Sequence, residues 1–378
     1  MNIHLRYQFV RLFFTACGLI QTLALDAASQ KNDSAWNEIA RFFAPPPEFA
    51  NDLSSYKSPL VFYDGRPVNG PAAWPERRAE ILSRWTEMMG AWPPLIEKPK
   101  IAYLDQEKRE NFVQHRIRLE IAPQQTEEAY LLVPEGEGPF PAVVVPYYEP
   151  KSSVGLGVEL RDFGYQLTKR GFVTLSIGSP GGSARDPSTG QAQCQPLSFL
   201  AYVAANSLNA LATLPQVDPK HIGIAGHSYG GKWAMFASCL YEKFACGVWS
   251  DGGIVFDEKR SNVNYWEPWY LGNEKDQKRI PGLPTPENPR TGAYKKMIET
   301  GHDLHELHAL MAPRPFLVSG GSEDRPERWR ALNQALAVNK FLGHTNKVSM
   351  TNRDAHTPTL QSNEQIYLFF EHFLKPTQ

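Results

Sequence analysis

The chain has 378 residues, of which 42% are hydrophobic and 21% are charged, so it can bury a sizeable core in one large domain. It carries 39 Lys and Arg residues against 40 Asp and Glu residues, which gives a formal net charge of −1. No basic excess therefore points to nucleic acid or to an anionic membrane surface as a partner.

The N-terminus has the pattern of a secretory signal peptide. Arg6 and Arg11 precede an apolar stretch at 12–25, and small residues follow at 26–29. The apolar stretch is too short, and too often interrupted by polar residues, to span a membrane comfortably. We therefore predict a signal peptide at 1–26 and a secreted or periplasmic protein with no membrane association after cleavage. An uncleaved anchor is the alternative.

Residues 27–100 are rich in Pro, Trp and charge, which predicts an N-terminal extension packing on the core rather than a separate domain. Within it, Trp74 to Trp85 has helical periodicity. Pro75 suits a first turn, and Ile81, Leu82, Trp85 and Met88 fall on one face. We expect this apolar face to contact the rest of the protein.

From residue 101 to 378 strands and helices alternate, which predicts a doubly wound, mostly parallel α/β sheet with helices on both faces. Unbroken valines at 143–145 indicate a central strand buried on both faces. Strands are predicted at 112–121, 129–134, 141–148, 172–177, 222–225, 245–250, 315–319 and 347–350, and helices at 160–170, 199–214, 232–240, 326–341 and 365–374. The alternation of strands and helices stops at about residues 252–305, where an aromatic-rich insertion is predicted.

Gly226-His227-Ser228-Tyr229-Gly230 matches G-x-S-x-G between a predicted strand and a predicted helix. A serine in such a tight turn has strained backbone angles, and glycines two residues before and after it avoid collisions. The turn raises the Ser228 hydroxyl above the sheet and directs helical N–H groups at whatever it attacks. Ser228 is therefore the predicted nucleophile. A glycine-rich turn with an incidental serine is the alternative.

The stretch Val217–Gly231 and the run Ala312-Pro313-Arg314-Pro315 resemble bacterial members of the α/β-hydrolase superfamily. The resemblance covers roughly residues 100–378. It is greatest to acetyl xylan esterase-like and dienelactone hydrolase-like proteins, and weaker to glucuronoyl esterases. It implies an α/β-hydrolase fold and the cleavage of carboxylic esters on plant or algal polysaccharides.

In this fold the chain order of a catalytic triad is serine, acid, histidine. His356 follows the last predicted strand and is the predicted base. Asp324, after the strand at 315–319, is the preferred acid, because this fold usually places the carboxylate there. Adjacent Glu323 and Asp251, which directly ends the preceding strand, are rivals. The resemblance to glucuronoyl esterases keeps Asp251 under consideration.

An oxyanion hole needs two donors aimed at the developing charge. The N–H of Tyr229 is expected to be one. The second should come from Tyr147 or Tyr148, after the strand at 141–146, through a backbone N–H or a tyrosine hydroxyl. The chain lacks the glycine run that many lipases have here. The turn at Pro180-Gly181-Gly182-Ser183 is expected to line the site.

The insertion contributes Tyr265, Trp266 and Trp269, whose rings suit stacking on sugars or aromatic acyl groups. Attachment of the insertion to the core explains them equally well. His227, beside the nucleophile, should point away from Ser228 and either pack or support substrate binding.

No metal or cofactor is predicted. His302, His305 and His308 recur every third residue, but no carboxylate motif accompanies them, and a polar helix face explains them better than a metal site. No nucleotide-binding motif occurs. The three cysteines outside the signal, Cys194, Cys239 and Cys246, allow at most one disulfide.

These observations predict an exported, cofactor-free serine esterase acting on a small-molecule or polysaccharide ester. A prolyl-oligopeptidase-like peptidase shares the serine turn and the residue order, but roughly 100 N-terminal residues are too few for a gating propeller. A non-catalytic binding protein with a hydrolase fold is the second alternative.

Overall fold

The computed structural model describes residues 34–260, 270–274 and 280–375, so the predicted signal peptide lies outside the described residues. Within these ranges nine strands form one mixed sheet. They are β1 (Ile101–Arg109), β2 (Phe112–Ala122), β3 (Gln125–Pro134), β4 (Phe140–Pro146), β5 (Val173–Ile177), β6 (Val217–His227), β7 (Cys246–Ser250), β8 (Phe316–Gly320) and β9 (Val348–Asn352).

The helices lie mainly between these strands. They are α1 (Trp74–Met89), α2 (Pro150–Ser153), α3 (Phe163–Lys169), α4 (Pro196–Ala212), α5 (Tyr229–Leu240), α6 (Gly292–Glu299), α7 (His305–Ala309), α8 (Trp329–Phe341) and α9 (Leu360–Leu374). Residues 34–39 are also helical and lead into a short 3₁₀ turn before Pro45.

The strand order is β1-β2-β3-β5-β4-β6-β7-β8-β9. Strands β1, β2, β3 and β5 pair antiparallel, whereas β4 pairs parallel with both β5 and β6, and the parallel pairing continues to β9. After β4 the chain goes to β5 on one side and then crosses to β6 on the other. Such a reversal opens a crevice at the carboxyl ends of the strands, where ligands bind in open α/β sheets.

Helices cover both faces of the sheet, as the sequence predicts. Val144 points into the core shared with α4 and α5, and Val143 and Val145 point into the core shared with α3 and α9. All three valines are at most 1% exposed. The unbroken valine run therefore reflects burial on both faces of a central strand.

The described part of the N-terminal extension packs directly on this domain. In α1 the buried residues recur every fourth position as Arg77, Ile81, Trp85 and Met89. Met89 thus takes the place expected for Met88. Trp85 donates its Nε1–H to Glu306 Oε2 at 2.9 Å, which joins α1 to α7.

The polar helix face predicted for the three histidines is wrong. His302 Nδ1 lies 2.7 Å from Glu306 Oε2, and His305 Nε2 lies 2.8 Å from the Lys57 carbonyl oxygen. His308 is fully buried beside Trp249, and burial lowers its pKa to about 3. His302 and His305 are internal because the extension covers them, and His308 is internal because it packs on β7.

The three described cysteines are buried free thiols. In the described ranges no helix is both long enough and apolar enough to cross a bilayer.

Candidate active site

Ser228 is the single residue between β6 and α5. Its backbone angles are φ 56° and ψ −116°, a positive-φ conformation that is strained for a residue with a side chain. Two hydrogen bonds hold it there: Ser228 N donates to the Ser250 carbonyl at 2.8 Å, and Lys232 N donates to the Ser228 carbonyl at 3.0 Å. This is the geometry of a nucleophile elbow.

The flanking glycines are sterically required. A Cβ on Gly226 would lie 2.1 Å from the Gly230 carbonyl oxygen, and a Cβ on Gly230 would lie 2.2 Å from the Pro146 carbonyl oxygen. Both contacts are with backbone atoms, which cannot rotate away. The two motif glycines therefore let the elbow close against itself and against the end of β4.

We expect Gly230→Ala to lower the free energy of unfolding by about 3 kcal/mol or more, because the methyl group must displace the end of β4. Urea unfolding of the purified variant measures this. Gly171→Ala is the control, since Gly171 has φ +87° but open space around it, and its cost should be only about 1 kcal/mol. Equal losses in the two variants would contradict the steric explanation.

His356 lies in the loop between β9 and α9 and reaches back over the elbow. Its Nε2 is 2.8 Å from Ser228 Oγ, and its ring is partly exposed. This distance allows direct transfer of the hydroxyl proton to the imidazole. The structure thus brings together the predicted nucleophile and the predicted base.

The carboxylate that contacts the histidine is Asp251, not Asp324. Asp251 Oδ2 lies 2.7 Å from His356 Nδ1, and the side chain of Asp251 is fully buried. Its other oxygen, Oδ1, accepts the N–H groups of Gly321, Glu323 and Asp324 at 2.7, 3.1 and 2.9 Å. Three donors on one oxygen fix the orientation of the carboxylate.

The preference for Asp324 is therefore corrected. Its carboxylate is fully buried and accepts the N–H groups of Gly253 at 2.8 Å and Ile254 at 2.7 Å. Glu323 is also ruled out as the partner of the histidine, because its Oε1 pairs with Arg260 at 3.0 Å. The loop that the sequence favours as the source of the acid instead donates N–H groups to Asp251.

Asp251 and Asp324 thus link the loops after β7 and β8 reciprocally, each carboxylate accepting backbone N–H groups of the other loop. Burial, and next the charge of Asp251, raise the pKa of Asp324 to about 6. A carboxyl group with a raised pKa holds its proton more tightly in the folded protein.

This shift predicts a pH-dependent stability. Between about pH 4 and 6 the folded state binds more protons at Asp324 than the unfolded state, so this group's contribution to stability falls as the pH rises. Asp324→Asn removes the titration. The free energy of unfolding of the wild type, minus that of Asp324→Asn, should therefore decrease between pH 4.5 and 7.5. Urea unfolding at both pH values measures the difference, and an increase would contradict it.

Arg353, which the sequence analysis did not single out, secures the histidine loop. Its guanidinium donates to the carbonyl oxygens of Ser319 and His356, both at 2.8 Å, and its Nε donates to the Thr357 carbonyl at 3.0 Å. The guanidinium thus ties the His356 loop to the end of β8. No motif marks such a residue, since most of its partners are backbone carbonyls.

One of the predicted backbone donors to the oxyanion is engaged elsewhere. The Tyr147 N–H donates to the Ile177 carbonyl at 3.0 Å, so it is engaged within the fold. Within the described residues the Tyr148 N–H has no protein acceptor. The Tyr229 N–H opens α5 directly after the nucleophile. Tyr229 and Tyr148 therefore remain the candidate donors.

His227 does not line a cleft. It is 2% exposed, its Nδ1 lies 3.1 Å from Ser250 Oγ, and its ring centroid lies 4.7 Å from that of His356. Burial, and next the charge of His356, lower its pKa well below the usual value. Of the two roles expected for His227, this geometry favours packing beneath the base over support of substrate binding. Tyr265, Trp266 and Trp269 lie outside the described residues.

Neither a protein-family model nor a curated protein sequence matches the chain significantly. Solved structures do. A glucuronoyl esterase from Solibacter usitatus aligns with a TM-score of 0.66 and 17% identity over 85% of this chain and 98% of its own. A glucuronoyl esterase from Teredinibacter turnerae aligns with a TM-score of 0.61 and 17% identity over 91% of this chain and 99% of its own. A Bacteroides fragilis protein assigned as an acetyl xylan esterase aligns with a TM-score of 0.54 and 13% identity over 80% of each chain.

The chain has the α/β-hydrolase fold. This confirms the fold predicted from the serine motif and from the alternation of strands and helices. Of the three alignments, the two glucuronoyl esterases give the higher TM-scores, whereas the sequence resemblance ranks them below acetyl xylan esterase-like proteins.

Proposed function

We propose that the protein is an exported serine hydrolase that cleaves carboxylic esters on carbohydrates. The observation that carries this proposal is the hydrogen-bonded chain from Ser228 Oγ through the His356 ring to Asp251, with distances of 2.8 and 2.7 Å. A nucleophile, a base and an orienting carboxylate in this order are the requirements for acyl transfer to serine.

The reaction begins when His356 Nε2 takes the Ser228 proton while Oγ attacks the ester carbonyl carbon. The Tyr229 N–H and the Tyr148 N–H stabilise the oxyanion. His356 then gives its proton to the departing alcohol as the carbon–oxygen bond breaks, which leaves an acyl-enzyme. A water molecule that loses its proton to His356 attacks the acyl carbon, and Ser228 recovers its proton as the carboxylic acid leaves. Throughout, Asp251 stabilises the imidazolium.

The carbohydrate part of the proposal is supported by the aligned structures that are named as glucuronoyl esterases. Export is supported by the pattern at residues 1–26. The carbohydrate substrate and the export belong to the proposal and do not follow from the fold, because one fold hosts many activities.

A substrate panel tests the proposal. The purified protein should hydrolyse a methyl glucuronate ester, acetylated sugars or feruloyl esters, and should leave peptide p-nitroanilides intact. A fluorophosphonate probe should label Ser228. Preferential cleavage of anilides would indicate a peptidase instead, and sugar binding without labelling would indicate a non-catalytic binding protein.

A further inference from the structure

A cavity of about 650 Å³ opens beside the elbow, over the carboxyl ends of β4 and β5. Tyr148 and Ser179 line it. The Tyr148 ring centroid lies 5.0 Å from that of Tyr229, and Ser179 Oγ lies 2.9 Å from the Tyr229 hydroxyl. Tyr148 lines the cavity and is also a candidate oxyanion donor, so the cavity adjoins the place proposed for the ester carbonyl.

The lining of this cavity combines an aromatic ring with carboxylates. Tyr148 is 42% exposed, and Glu127 and Glu149 also line the cavity. Glu127 accepts the Gly181 N–H at 2.7 Å, and Glu149 accepts the N–H and the hydroxyl of Ser152. Because a carboxylate has about four acceptor sites, both retain capacity for ligand hydroxyl groups. An aromatic platform with fixed hydroxyl acceptors suits a sugar ring.

The charge of the lining selects against anionic ligands. Glu127, Glu128 and Glu149 face one cationic side chain, Lys151, among the residues that line the cavity. Glu128 is partly neutralised from outside, by Arg116 at 3.4 Å and Arg118 at 3.6 Å. The remaining negative charge would repel a free uronate or a phosphate and leave neutral sugars favoured.

A second cavity of about 610 Å³ adjoins the first at Glu127, which lines both. The second cavity is lined by amide and hydroxyl side chains, including Gln125, Ser188 and Gln191. Gln125 Nε2 donates to the Ser188 carbonyl at 3.0 Å, which fixes the floor between β3 and the loop after β5. Amides both donate and accept, as sugar hydroxyl groups do.

We infer that these two cavities form one glycan cleft that binds the neutral oligosaccharide part of the ester substrate. The sugar nearest the ester packs on Tyr148 and bonds Glu127, and the following sugar contacts Gln125 and Gln191. This inference rests on the proposed esterase function, and it assigns substrate length preference to residues outside the insertion.

The first test compares acetyl esters carried by one to four neutral sugars with p-nitrophenyl acetate. In the wild type, kcat/KM should rise at least tenfold from one sugar to four, mainly through KM. In Glu127→Ala and Gln191→Ala, the ratio of kcat/KM for the tetrasaccharide ester to that for p-nitrophenyl acetate should fall about tenfold. Glu137→Ala, an exposed glutamate outside both cavities, should keep the wild-type ratio.

The second test is independent of hydrolysis. Calorimetry should detect binding of the unesterified tetrasaccharide to Ser228→Ala protein, and adding Glu127→Ala should weaken it at least tenfold. Binding that Glu127→Ala weakens supports the cleft even if no ester is cleaved, which would fail the proposed function alone. Absence of binding, or a wild-type rate that does not depend on the number of sugars, overturns the cleft.

Discussion

Replacing Ser228 by alanine should slow ester hydrolysis by ~10³-fold or more, because no other group at the elbow can form the acyl-enzyme. Ser228 Oγ is the atom that His356 Nε2 contacts at 2.8 Å. The measurement is kcat on the best substrate of the panel, together with fluorophosphonate labelling, which should disappear in the variant.

The stability of this variant provides the internal control. Alanine meets the same positive φ as serine, so the free energy of unfolding should change by less than about 1 kcal/mol. Ser55→Ala, an exposed serine in the N-terminal extension, should keep full activity. A folded Ser228→Ala protein that retains a tenth of the wild-type rate would rule out the proposed nucleophile.

Asp251→Asn should lower kcat by about 10²–10⁴-fold. An amide that turns its NH₂ group toward His356 Nδ1 stabilises the tautomer whose Nε2 carries the proton, and that nitrogen can no longer accept the serine proton. The backbone should tolerate the change, because Asp251 has φ 48°, where asparagine is readily accommodated. The pH profile of kcat for the variant and the wild type gives the measurement.

The matched control for that experiment is Asp324→Asn. Its carboxylate contacts the N–H groups of Gly253 and Ile254 rather than the histidine. The variant should therefore lose less than about tenfold in kcat while losing stability. If Asp324→Asn strongly lowered kcat and Asp251→Asn left it unchanged, the assignment of the acid would be reversed.

Local sequence was sufficient to locate the candidate nucleophile and the candidate base. The serine motif, the strand before it and the helix after it are contiguous, and His356 follows the last strand of the sheet. The acid is different, because several carboxylates end neighbouring parallel strands and look alike in the sequence. The choice depends on the positive φ of Asp251 and on three N–H groups more than 65 residues away.

The same limitation explains the other errors. In the sequence the three histidines look like a polar helix face, but distant residues bury them. Trp85 and Lys57 of the extension contact His302 and His305, and Trp249 of β7 contacts His308. The sequence does not predict strand β1, because its residues are mostly exposed and its register depends on pairing with β2. Elements that depend on long-range contacts are the ones that periodicity cannot reveal.

Ser228 and Asp251 follow neighbouring strands, whose last residues His227 and Ser250 are paired in register. The rigid sheet therefore sets the spacing of these two groups. Of the three side chains, only the His356 imidazole depends on a long loop for its position, and Arg353 holds that loop through the carbonyl oxygens of Ser319 and His356. Mild heat or denaturant should accordingly abolish hydrolysis by opening the His356 loop locally while the strands of the sheet remain folded.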